Sequence, residues 1–454
     1  MGDIVAARPA RGDGRIPVRF VRVKRYVGRR HVNDCAAQHT RDDSADDAGQ
    51  RLLIINGKPL HQRPVRRWLG PGPRLVMLTN SDVRRRATPG QLRALDAIEV
   101  VDNYTDDPSV IDRGIALGRR NTVTRVVSCQ EDDVVRAAQI RNTLGVTGQT
   151  LESAAAYRDK LLMRQHARAA GIGQPNFAPV TTIADVHAFI DRHGMPVALK
   201  PRLGSGSRNI TFIQTARQLQ ALTPKALAPD MCGGRLIESF VSALLFHIDG
   251  ITACGRVVYG WPSAYATGNA ESTRTGSPLI SVMLSPGDPA FSQLMHFTGQ
   301  VHDALPAPPD PTGFHLEARL LPGSPILCEV AARPTGPPVA EMFHRAFGAN
   351  LIAEHHRGLA GVSLHLSSQP DRPDSPLGCV RLLRGHGTFT PPPRCPIPGV
   401  CLSVTLPAGV HGHGPSHAAD RAGHAIITAP DHTEVRARIN DFLNWWAAER
   451  PWRS

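Results

Sequence analysis

The sequence predicts a mixed α/β chain, grading into α+β, of about three domains. Three observations carry this reading. The chain has 454 residues, 41% hydrophobic and 20% charged, enough apolar material for a sizeable core. From Arg51 onward, short apolar runs alternate with helical stretches, the pattern of a parallel sheet layered with helices. Farther along, residues 196–208 read as an apolar strand that delivers Lys200 into a loop of small residues containing Gly204 and Gly206.

Taken in order, residues 1–50 read as a basic, polar tail that is not expected to hold fixed structure. The net charge is +13, but it is local. Residues 51–90 hold nine Lys/Arg against the single acid Asp82, and residues 1–50 hold ten against seven. Arg66, Arg67, Arg84, Arg85 and Arg86 would suit a nucleic acid, yet no zinc-finger spacing, aromatic platform or helix-turn-helix pattern accompanies them. A solvated basic face is the preferred reading, and nucleic acid is not an expected partner. Eight cysteines without a C-x-x-C pair point to reduced thiols. No apolar run has the length of a membrane span and no signal-peptide core opens the chain, so a cytoplasmic protein without a membrane partner is expected.

Residues 51–150 form the first α/β domain, with strands at 52–55, 74–78, 98–101 and 125–128 and a helix at 131–144 closed by Gly145. A single helix is expected over 151–170, with Ser153 as its cap, Lys160 in its middle and Gly171 as its stop. It opens a second domain, 151–365, whose portion at about 175–240 forms a subdomain. A linker rich in Pro and Ser at 367–376 leads to a C-terminal α/β module, 377–454, with strands at 380–383 and 423–427 and a helix ending near Trp445 and Trp446.

Three segments carry chemistry. The first is Lys200 with its loop. Only five lysines stand among 47 arginines, and two of them are Lys160 and Lys200. A compact ammonium suits a polyphosphate, and glycines let backbone N–H groups turn toward one point. The second is a hairpin over 313–333. With its turn centred on Gly323, Glu317 faces Glu329, with β-carbons about 4.5–5.5 Å apart. Carboxylates that close repel unless a cation sits between them, and a hard divalent ion such as Mg²⁺ fits. A solvated face is the competing reading. Arg333 lies two pleats farther on the same face, within reach of an anion. The third is the strand pair around Glu238, Val241 and His247, whose connection offers backbone groups and apolar walls to a purine, although standing alone it reads as an ordinary buried strand pair. His411, His413 and His417 read as loop histidines, without a carboxylate or thiolate to complete a metal site. No Walker A sequence, G-x-S-x-G elbow or H-E-x-x-H helix is present, which removes several enzyme classes.

In this order and spacing, Arg158-Asp159-Lys160, Lys200 with Gly204 to Ser207, Glu238 with Val241, His315 with Glu317, and Glu329 with Arg333 resemble the ATP-grasp superfamily, on its biotin-carboxylase-like branch that includes amino-acid and peptide ligases. The resemblance covers residues 75–360 and extends through Asp420 to Gly423. It implies an ATP-grasp fold with an N-terminal Rossmann-like domain and a biotin-carboxylase-like C-terminal module. It also implies that Lys160 and Lys200 contact ATP phosphates while Gly204, Ser205, Gly206 and Ser207 close over them as a lid. Glu238 and Val241, with His247 nearby, would bind the nucleoside. Glu317 and Glu329 would hold Mg²⁺, and Arg333 with Lys200 would serve catalysis on the phosphoryl group. Two positions depart from the family. Leu245 replaces a ribose-binding glutamate, and Ala331 replaces an asparagine metal ligand. The implied activity is ATP-dependent ligation of a carboxylate and an amine through an acyl phosphate. The substrates would be an amino acid or related acid and an amino acid or peptide, with specialised (antibiotic) metabolite biosynthesis as the expected setting and a homodimer allowed. A bicarbonate-activating, biotin-dependent carboxylase and a catalytically impaired ATP-binding module are the alternatives.

Overall fold

The computed structural model describes residues 49–227, 233–266, 269–366, 369, 371–418 and 420–453, without the side chains of residues 269 and 270. The expected tail therefore lies outside the described residues except for its last two positions, as do Cys35 and Cys232.

The first layer alternates as the apolar runs suggest. It comprises β1 (Arg51–Ile55), α1 (Val65–Leu69), β2 (Arg74–Thr79), α2 (Ser81–Arg86), α3 (Pro89–Arg93), β3 (Ala97–Val100), α4 (Ser109–Arg120), β4 (Arg125–Ser128) and α5 (Asp133–Leu144). The strands are parallel in the order β3-β2-β1-β4. β1 is internal and covered on both faces, which is why it reads as a continuous apolar run. Leu53 and Ile55 join one core, Leu52 and Ile54 the other. α5 ends at Gly145, whose φ of 67° is left-handed.

The helix expected over 151–170 is two helices, α6 (Leu151–Arg158) and α7 (Lys160–Ala169). Thr150, rather than Ser153, caps the first by accepting from the Ser153 N–H. Asp159 leaves helical geometry at φ −90°, ψ 113° and caps the second by accepting from the Leu161 N–H. A short carboxylate competes with the helix for backbone donors, and here it also binds Arg202. Lys160 consequently opens α7 instead of sitting in mid-helix.

A four-stranded antiparallel sheet follows, in the order β5-β8-β6-β7. It is built from β5 (Phe177–Val180), α8 (Ile183–His193), β6 (Val197–Pro201), β7 (Thr211–Ile213), α9 (Ala216–Gln220) and β8 (Arg235–Ser239). Val186 and Phe189 of α8 cover Val197, Leu199 and Ile237.

The rest builds one large antiparallel sheet, a small second sheet and the helices that pack on them. Its parts are β9 (Leu244–Ala253), β10 (Arg256–Tyr265), α10 (Asn269–Thr275), β11 (Leu279–Met283), α11 (Pro289–Ala304), β12 (Thr312–Leu321), β13 (Ser324–Ala331), α12 (Val339–Phe347), α13 (Leu351–Ala360), β14 (Leu377–Leu383), β15 (His386–Phe389), β16 (Val400–Val404), β17 (His411–His413), β18 (Arg421–Thr428), α14 (His432–Ala448) and β19 (Trp452–Arg453). Eight strands pair in the order β13-β12-β9-β10-β11-β14-β18-β16, and β17-β15-β19 form a small separate sheet. Strands from both sides of the 367–376 segment thus share one ladder, because β11 pairs directly with β14. α13 is buried along its whole length between this sheet and the first layer. Its His355 accepts from the Gly313 N–H through Nδ1 (3.0 Å) and donates through Nε2 to the Ser128 carbonyl (2.8 Å). Among the described residues, no helix is long and apolar enough to cross a membrane.

Candidate nucleotide and metal site

A cleft of about 910 Å³ separates the four-stranded sheet from the large one. Lys200, the 204–207 loop, Glu238 and Val241 line one wall. Glu317, Arg319, Cys328 and Glu329 line the other, and Lys160 sits between.

The loop has the expected conformational demands. A Cβ at Gly204 would lie 3.0 Å from the Pro201 Cβ, so the prolyl ring would have to give by a few tenths of an ångström. Gly206, Ser207 and Asn209 are left-handed at φ 62°, 60° and 56°. Two of those are not glycine, a conformation that costs energy and clusters at functional sites. The loop is anchored at two points. The Gly204 carbonyl accepts from Lys160 Nζ at 2.7 Å, and the Gly206 carbonyl accepts from the Ala418 N–H at 3.1 Å.

Glu317 and Glu329 pair directly across β12 and β13, as expected from the sequence, but by a different route. The turn is at 322–323, since Leu321 pairs with Ser324. A bulge between Ala318/Leu327 and Glu317/Glu329 then restores the facing register. Lys160 Nζ lies 2.8 Å from Glu329. Burial would raise the Glu329 carboxyl, but Lys160, supported by Lys200 and Arg333, outweighs it and holds the group at about 2.

Lys200 Nζ is 2.6 Å from Glu238, and Arg164 Nε reaches the other carboxylate oxygen at 2.7 Å. The remaining Arg164 nitrogens donate to the Leu327 and Cys328 carbonyls, each at 2.8 Å. Burial pushes Glu238 up, and Arg164 and Lys200 pull it down further, to about 2. Its side chain is only 2% exposed, so the carboxylate is committed to holding Lys200 rather than offered to a ligand.

Two expected contacts are placed elsewhere. His247 is wholly buried beneath the cleft wall and does not line it. Its Nδ1 meets Asp249 at 2.6 Å and its Nε2 meets the Ser281 hydroxyl at 2.6 Å. The second Asp249 oxygen binds His315 Nδ1 at 2.8 Å, and His315 Nε2 faces Glu317 at 3.5 Å. Burial would lower His315, but Asp249 and Glu317 lift it to about 9. The network therefore braces Glu317 from below. Arg333 also stands outside the cleft wall, its Nε 2.5 Å from Glu131 of the first layer. Leu245 is buried against Tyr265 and Leu279, while Glu271 and Arg274 of α10 line the cleft.

Arg164 and Glu131 were not anticipated. Arg164 was accessible to sequence reasoning, since it lies four residues after Lys160 on one helix face. Nothing local marks Glu131, which meets Arg333 across 202 residues.

No protein-family model matches the sequence. The chain is 27% identical over 293 residues to the uncharacterized protein y4rH of Sinorhizobium fredii, covering 62% of this chain and 58% of that protein. It is 26% identical over 263 residues to the L-arginine-specific L-amino acid ligase of Bacillus subtilis, covering 56% and 62%. The match thus spans about three fifths of the length of these relatives. Among solved structures, the L-amino acid ligase from Bacillus licheniformis superposes with TM-score 0.66 at 17% identity, covering 87% of this chain and 98% of that one. The biotin carboxylase domain of Hydrogenobacter thermophilus 2-oxoglutarate carboxylase, in complex with MgADP, ADP and bicarbonate, gives 0.64 at 14%, covering 86% and 89%. The chain has the ATP-grasp fold.

Proposed function

We propose that the protein is an ATP-dependent carboxylate–amine ligase that works through an acyl phosphate. The observation that carries this reading is the convergence, in one cleft, of Lys160, Lys200 and the glycine loop opposite the facing Glu317 and Glu329. The likeness to amino acid ligases in sequence and fold supports the same reading.

ATP would lie in the cleft with its phosphates under the 204–207 loop. Lys200 and Lys160 each carry three ammonium donors, so they would turn the remaining ones to phosphate oxygens and spread the charge of the leaving group. Two carboxylates form a hard oxygen donor pair that fits Mg²⁺, and no other paired acid lines this cleft among the described residues. Bound there, Mg²⁺ would neutralise phosphate charge. A carboxylate oxygen of the acid attacks the γ-phosphorus and the bond to ADP breaks. The amine nitrogen then attacks the acyl carbon, phosphate leaves, and the amine loses a proton to solvent or base. For Arg333 to act on the phosphoryl group, its guanidinium would have to leave Glu131 and turn into the cleft. An amino acid or related acid joined to an amino acid or peptide is the substrate class favoured.

The test is incubation with Mg-ATP and pools of amino acids. ADP, phosphate and an adduct lighter than its parts by one water are expected. AMP and pyrophosphate as products would overturn the mechanism.

A further inference from the structure

Next to the phosphoryl-transfer end of the cleft lies a concentration of positive charge that the nucleotide does not account for. It draws on three parts of the chain. Lys58 and Arg63 come from the β1–α1 connection, Arg208 from the glycine loop, and Arg381 and Arg421 from β14 and β18. The Lys58 backbone is pinned by the buried Asn56, whose side chain accepts from the Lys58 N–H (3.1 Å) and donates to its carbonyl (2.7 Å). Arg421 Nη1 and Arg381 Nη2 both donate to the single carbonyl of Pro337, at 2.9 and 3.2 Å. Two guanidinium groups therefore converge on one oxygen, in the loop that follows Arg333. Arg381 Nη1 donates to Ala418, the residue whose N–H holds the glycine loop.

Among the described residues, none of these five cations has a carboxylate at ion-pair distance. The nearby acids are already engaged, Glu317 by His315 (3.5 Å) among them. Asp132 is bound by Arg158 (3.1 Å), Glu131 by Arg333 (2.5 Å), and Asp420 by Arg384 (3.1 Å). Glu341 is bound by Arg345 (2.9 Å) and His424 (2.8 Å). The Nε atoms of Arg63 and Arg381 are buried without a hydrogen-bond partner. Burial, then Arg381 and Arg63, lower Arg421 to about 10. Like charges gathered this way repel unless an anion joins them. Lys58, Arg63, Arg381 and Arg421 do not line the nucleotide cleft, so ATP does not supply that anion.

We propose that this basin binds the acid substrate, and that this substrate carries a second anionic group, a carboxylate or a phosphate, besides the carboxylate that is activated. The inference rests on the ligase reading for the word substrate, and on the cation cluster for the charge. Lys58 and Arg208 stand at the solvent rim, with Arg63, Arg381 and Arg421 half-buried at the floor. Guanidinium forks suit planar carboxylate and phosphate alike.

The test uses the full chain with Mg²⁺ and a non-hydrolysable ATP analogue. Calorimetric titrations with L-glutamate, L-phosphoserine, L-norleucine and L-arginine separate a dicarboxylate, a phosphate, a neutral acid and a cationic acid. Binding of glutamate or phosphoserine at least tenfold tighter than the other two is expected. Whichever of the two binds tighter names the second group. Arg421→Gln and Arg63→Gln should each weaken that binding tenfold or more while leaving analogue affinity within twofold, which also certifies that the variants fold. Equal or tighter binding of norleucine or arginine would overturn the proposal, as would variants that weaken only the analogue. ADP release is read in parallel. Charge-selective binding that yields no ADP with any amine keeps the anion basin and removes the ligase reading. Ligation of neutral acids, unaffected by the variants, keeps the ligase and removes the basin.

Discussion

At the residue scale the candidate cleft is organised by ion pairs that fix Lys160 and Lys200. Arg164 is 1% exposed and Glu238 2% exposed, so neither charge is hydrated and each depends on its partners. Arg164→Met would leave Glu238 buried with Lys200 alone and strip donors from the Leu327 and Cys328 carbonyls. Breaking a buried pair from one side costs about 3–5 kcal/mol, and a loss of that size is expected in urea unfolding at pH 7. A loss under 1 kcal/mol would mean that Lys200 suffices. The pair also sets an acid limb. Glu238 is held at about 2 in the folded chain against 4.5 ordinarily. Between those values the unfolded chain binds the extra proton, so the stabilisation is complete above pH 4.5 and is lost as pH falls toward 2. In Glu238→Gln the slope of unfolding free energy over that window should flatten by up to about 1.4 kcal/mol per pH unit. An unchanged slope would place the acid sensitivity elsewhere.

At the scale of elements, geometry is decided where the backbone has no room. Gly250 sits in the middle of β9, flanked by β10 and β12, and a Cβ there would lie 1.9 Å from the Tyr259 carbonyl and 2.7 Å from the Phe314 ring. Gly250→Ala should therefore destabilise by roughly 3 kcal/mol or more, at the top of the overpacking range, because both neighbours are ladder-bound. Thermal unfolding checks it, and a wild-type midpoint would show that the strands can part. Gly206 is the opposite case, since nothing lies within 4 Å of its Cβ position and only its φ of 62° restrains it. Gly206→Val should leave folding nearly intact, at a strain of about 1–2 kcal/mol, while weakening Mg-nucleotide binding in titration. These elements also mark what the sequence could reveal. Lys200 and the glycine loop were legible because strand, lysine and loop are contiguous. The Glu317–Glu329 pairing was legible too, but only because the bulge at Cys328 offsets a turn one half-register away from Gly323. The break at Asp159 was not legible, since its carboxylate also binds Arg202, 43 residues on, a contact that no local pattern encodes. The burial of His247 was equally hidden, because alternation places a side chain on a face without saying what covers that face.

For the molecule as a whole, the arrangement that matters is the sheet that crosses the Pro- and Ser-rich segment. Composition suggested a boundary at 367–376, since such stretches are common linkers. Strand pairing across it is a long-range choice that no local pattern encodes. One core nevertheless draws on both sides, joining Trp261, Met283 and Phe343 to Leu377, Cys379 and Ile426. The same continuity places Arg381 and Arg421 beside the Arg333 loop and sets Ala418 against the glycine loop, so the final segment packs directly beside the candidate cleft. A chain ending at residue 366 would lose the partner of β11 and uncover Trp261 and Phe343. It would present an unpaired antiparallel edge next to an exposed apolar patch, the combination that promotes association between copies. Such a fragment is expected to be aggregated in sedimentation and to lack a cooperative unfolding transition. In the full chain, amides of β14 and β18 should exchange with solvent at the same free energy as those of β9 and β12, as one cooperative unit. A monomeric fragment with a sharp transition, or β14 amides that exchange well before β9, would instead establish residues 377–453 as a unit that folds apart from the cleft.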